Sequence, residues 1–344
     1  MPPSLLSPRS AVVYYNPAIR LRSAIHMEKP TLQDVLEARR TIAPYVRPTP
    51  LHSYPVLDKL LGAQVYVKHE NYHPIGAFKM RGGVNFMARL SDDDRKRGVI
   101  TASTGNHGQS IAYAGHVFGT QVIIVVPEGA NPGKVEAIQN WGAEVIFHGS
   151  TFDEARGYVE RAVAEKGYSY AHPANDPSII AGVGTMALEV LEAQPDIEII
   201  IAPVGGGSSA SGCCIVAKAV NPAIQVIGVQ AEKAPAAYLS WKERRLAEAT
   251  METTAEGLAT GAGFELTQSI LWEQLDDFLL VSDEELRQAV RFYLEEIRTM
   301  AEAAGAASLA GAIKMKERLQ GKKVALILSG GNISVAQLRE ALAD

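Results

Sequence analysis

The sequence predicts an α/β protein made of two open, mostly parallel layers, with a site in the crevice between them. Short apolar runs such as VIIVV (Val122 to Val126) and VALIL (Val324 to Leu328) have the length and composition of strands buried on both faces. From Gly98 onward the chain repeats strand, turn and helix with little interruption, the pattern of parallel α/β units. At 344 residues, 47% hydrophobic and 21% charged, it is long enough for two units with cores of their own.

Taken in order, residues 1 to 26 hold Arg9, Arg20 and Arg22 and no acid, the bias of an organellar transit peptide. Met27 opens MEKPTLQDVLEARR, which offers a simpler reading of the preceding segment as an upstream start or disordered arm outside the fold. Thr31 can cap the first helix, and PTPLH (Pro48 to His52) is an extended entry to the sheet. QVYVK (Gln64 to Lys68) reads as a strand and FKMRGGVNFMARL (Phe78 to Leu90) has helical spacing, so Lys79 lies where a loop enters a helix. Next come GVITA, the turn and helix STGNHGQSIAYAGHVFG, the strand QVIIVVP, a helix from Pro132 to Trp141 and the strand AEVIFHG. A helix from Thr151 to Glu165, a strand from Tyr168 to His172 and the helix SIIAGVGTMALEVLEA follow. The strand Ile197 to Val204 leads through GGGS to a helix from Ser209, and Ile224 to Gln230 is another buried strand. Glu265 to Leu275 is helical, and Asp283 to Thr299 is a long amphipathic helix with Ser282 at its N-cap. KVALILSGGNIS is a last strand running into a glycine turn and helix. Residues 27–97 and 175–344 are expected to form a large domain and residues 98–174 a small one.

Charge and composition exclude several partners. The formal net charge of −5, with no Lys and Arg cluster interleaved with aromatics, argues against nucleic acid and for a small-molecule substrate. No apolar run reaches the length of a membrane span, so a soluble protein is expected. Cys213 and Cys214 are adjacent, which forbids an ordinary disulfide between them and fits a reducing, cytoplasmic setting. No His or carboxylate spacing accompanies them, so no metal site is expected.

Four motifs carry chemistry. Lys79, in ENYHPIGAFKMRGG, is useful in carbonyl chemistry only if it is positioned and partly desolvated; most lysines are solvated surface groups, so this stretch alone decides nothing. STGNHG (Ser103 to Gly108) brings backbone N–H groups and a helix N-terminus together, a receptor for a carboxylate. In VGGGSS (Val204 to Ser209), three consecutive glycines let the backbone fold around a phosphate; the frame is neither a P-loop nor GxGxxG. LSGGN (Leu328 to Asn332) holds Ser329 at a strand end facing the crevice. Each turn alone is also readable as a plain strand-to-helix connection.

Together and in this order, GxFKxRG, STGNHGQ, PVGGGS and SGGN resemble the fold-type II pyridoxal-phosphate enzymes, and more narrowly the threonine and serine dehydratases and serine racemases. The similarity runs from about Thr31 to the end and includes AHPANDPSIIAGVGT and AGAASLAGA. It implies pyridoxal 5'-phosphate as cofactor, Lys79 as the Schiff-base lysine and Phe78 beside the ring. It further implies Asn106 on the ring oxygen, Gly205, Gly206, Gly207 and Ser208 around the phosphate, and Ser329 at the pyridine nitrogen. Ser103, Thr104, Gly105, Asn106 and His107 would gather the substrate carboxylate. A serine at the ring nitrogen does not hold it protonated, which favours β-elimination over transamination. The implied reaction is conversion of L-threonine or L-serine to a 2-oxo acid and ammonia, with Lys79 taking the Cα proton. Other readings stay open: a dehydratase for hydroxyaspartate, phenylserine or a hydroxyectoine-derived compound, a β-replacement synthase, a serine racemase, or a non-catalytic metabolite-binding protein. The family also implies a homodimer or homotetramer, and with the chain closing soon after SGGN no appended regulatory domain is expected.

The sequence departs from the family pattern at informative places. Ala77 replaces the usual serine before Phe78, and Ser208 stands where a fourth glycine is common. Where racemase-like members carry acidic cation ligands, this chain has Gln230, Ala234 and Ala236. Thr104 occupies the position where racemase-like members have a serine able to return a proton to the opposite face of Cα; a threonine hydroxyl is more restricted by its methyl group.

Overall fold

The computed structural model describes residues 28–343; the arginine-containing leader lies outside them. Among the described residues ten strands form two sheets: β1 (Leu51–Ser53), β2 (Gln64–His69), β3 (Val99–Ala102), β4 (Val122–Val126), β5 (Glu144–Phe147), β6 (Ser169–Tyr170), β7 (Ile199–Pro203), β8 (Gln225–Ala231), β9 (Asp277–Val281) and β10 (Lys323–Leu328). The larger sheet runs β1-β2-β10-β7-β8-β9, and the smaller runs β5-β4-β3-β6. Every pairing is parallel except β1 with β2. Parallel strands need helical crossovers that cover both faces, which is why β4, β7 and most of β10 are fully buried and read as unbroken apolar runs.

Two apolar clusters flank the six-stranded sheet. On one face Val65, Val67, Leu326 and Leu328 pack against Leu309, Ala310 and Tyr293; on the other Ile200, Ala325 and Ile327 pack against Val183, Ala187 and Val216. The four-stranded sheet has its own pair, one built around Ile111, Ile124 and Ile138, the other around Ile100, Val125 and Val159.

The helices begin where the capping chemistry places them. Thr31, Thr151 and Ser282 each form a reciprocal capping box with the acid three residues on (Asp34, Glu154 and Glu285). The observed spans are close to those read from the sequence: Lys79–Arg89, Pro132–Gln139, Phe152–Lys166, Pro177–Ala193, Ser208–Val220, Glu265–Gln274 and Asp283–Ile297. The expected strand from Tyr168 to His172 shortens to Ser169–Tyr170, because the chain turns at His172, whose ring accepts from Ala174 N and Asn175 N.

Helices Pro55–Leu61, Asp92–Arg97, Ala236–Glu243 and Ala303–Lys314 and strand β9 were not marked by sequence periodicity. The helix Ala303–Lys314 (AAGAASLAGAIK) shows why: Ala304 through Ala312 are all buried, so no polar face alternates with an apolar one. Its small residues allow close approach to the sheet, and a Cβ at Gly311 would fall 2.5 Å from a Val229 methyl.

Candidate active site

The site is assembled by loops at the carboxyl ends of β2, β3, β7 and β10, where parallel sheets present their helix N-termini. Lys79 is the first residue of its helix, with Phe78 at the N-cap. The loop before it is stitched to the SGGN turn: Phe78 N donates to Ser329 O (3.0 Å), Gly331 N donates to Gly76 O (2.9 Å), and Ala77 pairs with Gly330 in an isolated antiparallel bridge. Ser329 is thereby fixed directly beside the lysine turn. The first and fourth motifs, some 250 positions apart in sequence, form one surface.

Lys79 Nζ donates to Ser208 Oγ at 3.0 Å and to Pro173 O at 3.2 Å, and lies 5.2 Å from the centroid of the Phe78 ring. Desolvation lowers its pKa to about 8, because burial penalises an ammonium that no carboxylate compensates. The lysine therefore joins the glycine turn after β7 to the segment AHPAN.

That glycine turn is shaped as an anion receptor. Gly205 O and Gly206 O accept from Thr260 Oγ1 (3.4 Å) and Thr267 Oγ1 (2.8 Å), and Gly207 O accepts the first helical bond, from Ser211 N. With the carbonyls so engaged, the N–H groups of residues 205–210 have no protein acceptor among the described residues, and no side chain caps the helix Ser208–Val220. Gly207 has φ of 95°, a conformation that side chains rarely adopt, and a Cβ at Gly205 would fall 2.2 Å from Gly257 O. Ser209, which the sequence did not single out, is buried with its hydroxyl unpartnered. Ser208, read as part of the cradle, directs its hydroxyl to Lys79.

The STGNHG turn opens the helix Asn106–Phe118. Ser103 Oγ accepts from Gly105 N (3.2 Å) and Gly108 N (3.1 Å), so its hydroxyl is committed to holding the turn. The N–H groups of Thr104, Asn106 and His107 have no protein acceptor among the described residues. The His107 ring donates from Nε2 to Ala171 O (2.9 Å), and burial lowers its pKa to about 3, keeping it neutral. Asn106 bridges turns: Nδ2 donates to Glu302 Oε1 (2.6 Å) and Oδ1 accepts from Asn332 Nδ2 (2.7 Å). The Glu302 carboxyl is pushed up by desolvation, with the Asn106 hydrogen bond opposing. Neither Glu302 nor the side chain of Asn332 carried a local sequence signal.

Behind the lysine lies a buried ionic clamp that the sequence also concealed. Arg81, in the first turn of the lysine's helix, donates to Glu70 Oε2 (2.7 Å) and Oε1 (2.8 Å), to Glu189 Oε1 (2.6 Å) and Oε2 (2.8 Å), and to Thr185 Oγ1 (3.1 Å). Lys68 donates to Glu189 and to Thr49 O, and His73 meets Glu70 Oε2 at 3.1 Å. The nearest signal was a charged run, Lys68 to Glu70, at the end of an otherwise apolar strand.

At the positions corresponding to the racemase cation ligands, Gln230 Oε1 accepts from Tyr238 N (2.9 Å), and Ala234 and Ala236 are fully buried. No group of three or more His, Cys, Asp or Glu suited to a metal occurs among the described residues.

The family model described as pyridoxal-phosphate dependent enzyme matches residues 42–330. The chain belongs to this family. Its relatives include an L-threonine ammonia-lyase of Thermotoga maritima, 41% identical over 306 residues that cover 89% of this chain and 76% of that protein. An L-threo-3-hydroxyaspartate ammonia-lyase of Saccharomyces cerevisiae is 37% identical, covering 89% and 94%. Among solved structures, maize serine racemase superposes with a TM-score of 0.87 at 31% identity, covering 92% of this chain and 97% of that one. The fold is that of the fold-type II members.

The residues present in this pyridoxal-phosphate-dependent enzyme fit the cofactor. A run of unengaged amides, the unpartnered Ser209 hydroxyl and an uncapped helix N-terminus suit a phosphate dianion, and a desolvated lysine stands beside them. One consequence is testable in the apoenzyme. With Lys79 lowered to about 8, about a tenth of it is free amine at pH 7, against well under a thousandth for an ordinary lysine. Uptake of pyridoxal phosphate by apoenzyme, followed by stopped-flow absorbance, is expected to accelerate as pH rises with a midpoint near pH 8 and to level off about one unit higher; a midpoint near that of free lysine would contradict the desolvation.

Proposed function

We propose that the protein is an ammonia-lyase converting L-threonine and L-serine to 2-oxobutanoate and pyruvate with release of ammonia. The observation that carries this reading is the Lys79 amine, desolvated and held 3.0 Å from Ser208 at the mouth of the amide cradle, next to a second set of unengaged amides at Thr104, Asn106 and His107. The cradle of Gly205, Gly206, Gly207, Ser208 and Ser209 would hold the cofactor phosphate, Lys79 its carbonyl carbon, Phe78 the ring face, Asn106 the ring oxygen and Ser329 the ring nitrogen. Bound there, the cofactor supplies an electron sink that acidifies the Cα–H bond.

The chain's own residues divide the remaining work. The amides of the STGNHG turn fix the substrate carboxylate at a helix N-terminus, where the helix dipole favours an anion. Lys79 Nζ, more readily deprotonated than an ordinary lysine, removes the Cα proton. The Thr104 hydroxyl, on the same turn as those amides, would give a minor route for returning a proton to Cα, so slow racemisation is expected to accompany elimination.

Charge supports a substrate with a neutral side chain. His107 is neutral, and Lys134, which lies near Glu302, is paired with Glu256. A second substrate carboxylate, as in hydroxyaspartate, would find no unpaired cation among these residues. The sequence relationship to the yeast enzyme makes that compound the informative competitor. In a coupled assay for 2-oxo acid, kcat/KM for L-threonine and L-serine is expected to exceed that for L-threo-3-hydroxyaspartate by about 100-fold. The reverse order would overturn the substrate, and no 2-oxo acid from any of the three would overturn the lyase.

A further inference from the structure

The segment AHPAN carries a side chain to which the roles above assign nothing. Ala171 O receives the His107 ring (2.9 Å), Pro173 O receives Lys79 Nζ (3.2 Å), and a Cβ at Gly206 would fall 3.2 Å from the Ala174 methyl. His172 therefore sits in a stretch whose neighbours on both sides touch the lysine, the carboxylate turn and the phosphate turn. Its ring packs edge-on against Phe264 (centroids 5.4 Å, interplanar 81°) and tilts against Tyr170 (5.3 Å). Phe264 in turn lies 3.5 Å from where a Cβ at Gly206 would stand, so the imidazole packs on a ring that lines the phosphate turn, close enough to Lys79 to feel its charge.

The tautomer follows from the hydrogen bonds. His172 Nδ1 accepts from two backbone donors, Ala174 N (3.1 Å) and Asn175 N (2.9 Å), and so carries no proton itself. The ring proton is on Nε2; the ring's hydrogen bonds among the described residues are both at Nδ1, and the residue is half-buried. Desolvation, then the positive charges of Arg156 and Lys79, lowers the ring's pKa to about 4. At neutral pH this side chain is an uncharged, rigidly held hydrogen-bond donor. Such a donor favours a neutral oxygen lone pair and gives an anion no full charge to pair with.

We propose that His172 contacts the substrate, its Nε2–H donating a hydrogen bond to the β-hydroxyl oxygen, and that this contact selects hydroxy amino acids and aims the oxygen for departure. This rests on the lyase reading above. The ring does not give up its proton: the Cα–H electron pair becomes the new carbon–carbon double bond, Lys79 Nζ takes the Cα proton, the Cβ–O bond breaks, and the hydroxyl leaves as water with a proton from the medium. His172 lowers the barrier by polarising the C–O bond and by holding one rotamer of the side chain.

The test compares leaving groups in the holoenzyme. In His172→Asn the amide oxygen takes the place of Nδ1 and still accepts from Ala174 N and Asn175 N, while the Nε2 donor is gone. With L-serine and L-threonine, kcat/KM is expected to fall about 30- to 100-fold; with β-chloro-L-alanine, whose chloride departs without a hydrogen-bond donor, it is expected to fall less than about threefold. His172→Gln, whose amide nitrogen reaches the position of Nε2, is expected to recover at least about a third of the lost activity on L-serine, which a purely structural role would not produce. Equal losses on both substrate types, or no loss on either, would overturn the assignment to His172 while leaving the lyase intact. Wild-type protein that turns over neither type would instead bring down the lyase reading and this inference with it. If His172→Asn fails to fold, as judged by cofactor absorbance and thermal melting, the Gln variant decides alone: wild-type discrimination between hydroxyl and chloride supports the contact, and its loss overturns it.

Discussion

Replacing Lys79 with alanine is expected to reduce 2-oxo acid formation from L-threonine by at least about 10⁴-fold. The magnitude follows from the two tasks proposed for Lys79 being lost together: attachment of the cofactor carbonyl and movement of the Cα proton. The cradle is built from backbone amides of residues 205–210 and the Ser209 hydroxyl, none of which depends on the lysine. Lys79→Ala should therefore still bind pyridoxal phosphate, without a covalent bond. Borohydride reduction followed by peptide mapping separates the two effects. Wild-type protein is expected to carry the reduced cofactor on the peptide containing Lys79, and the variant to carry it nowhere. Retained dehydration in Lys79→Ala, or a label on another lysine, would remove Lys79 from the mechanism.

The second large effect concerns the clamp that fixes the lysine's helix. Glu70→Ala is expected to destabilise the protein by about 3–5 kcal/mol, because it removes one of the two carboxylates that hold a buried guanidinium. Glu70 and Arg81 are both 0% exposed. Burial opposes ionisation of Glu70, but Arg81 and His73 outweigh it and hold the carboxyl well below the usual range. A carboxylate with a depressed folded pKa contributes its stability above the unfolded value, near 4.3, and loses it as pH falls through the folded value. The clamp is thus fully formed at neutral pH and weakens only in acid. In the variant Arg81 keeps Glu189, which it shares with Lys68, leaving two cations on one carboxylate. A shift in the urea unfolding midpoint of the holoenzyme at pH 7 measures the loss. Glu70→Gln, which keeps an oxygen acceptor, should cost less than the alanine. A shift within about 0.5 kcal/mol for Glu70→Ala would mean that Glu189 alone satisfies the guanidinium.

What the sequence disclosed, and what it hid, divides along the range of the interactions. Lys79 at a helix entry, Ser282 at a helix cap and the glycines after β7 are local features: a turn, a cap or a positive φ leaves its mark within a few residues. Their assembly is not local. Asn106 between Glu302 and Asn332, and Arg81 between Glu70 and Glu189, are contacts across about 11 to 226 positions, made by polar residues that look solvated until the fold buries them. The helix Ala303–Lys314 left no helical pattern for the opposite reason, being so uniformly buried that periodicity disappears. Ser209 and Ser208 show a finer limit. Adjacent serines on one motif point to different partners, one hydroxyl to Lys79 and the other to no protein group, and only the path of the helix decides which does which.

β-Elimination from a hydroxy amino acid is tested most directly by one time course with purified holoenzyme and L-serine, reading pyruvate, ammonia and the enantiomers of serine in the same samples. Equal amounts of pyruvate and ammonia, with D-serine at no more than a few per cent of product, on the order of 1 in 20 or less, is the expected outcome. D-serine accumulating faster than pyruvate would make Thr104 the dominant second proton donor and the protein a racemase, contradicting the account.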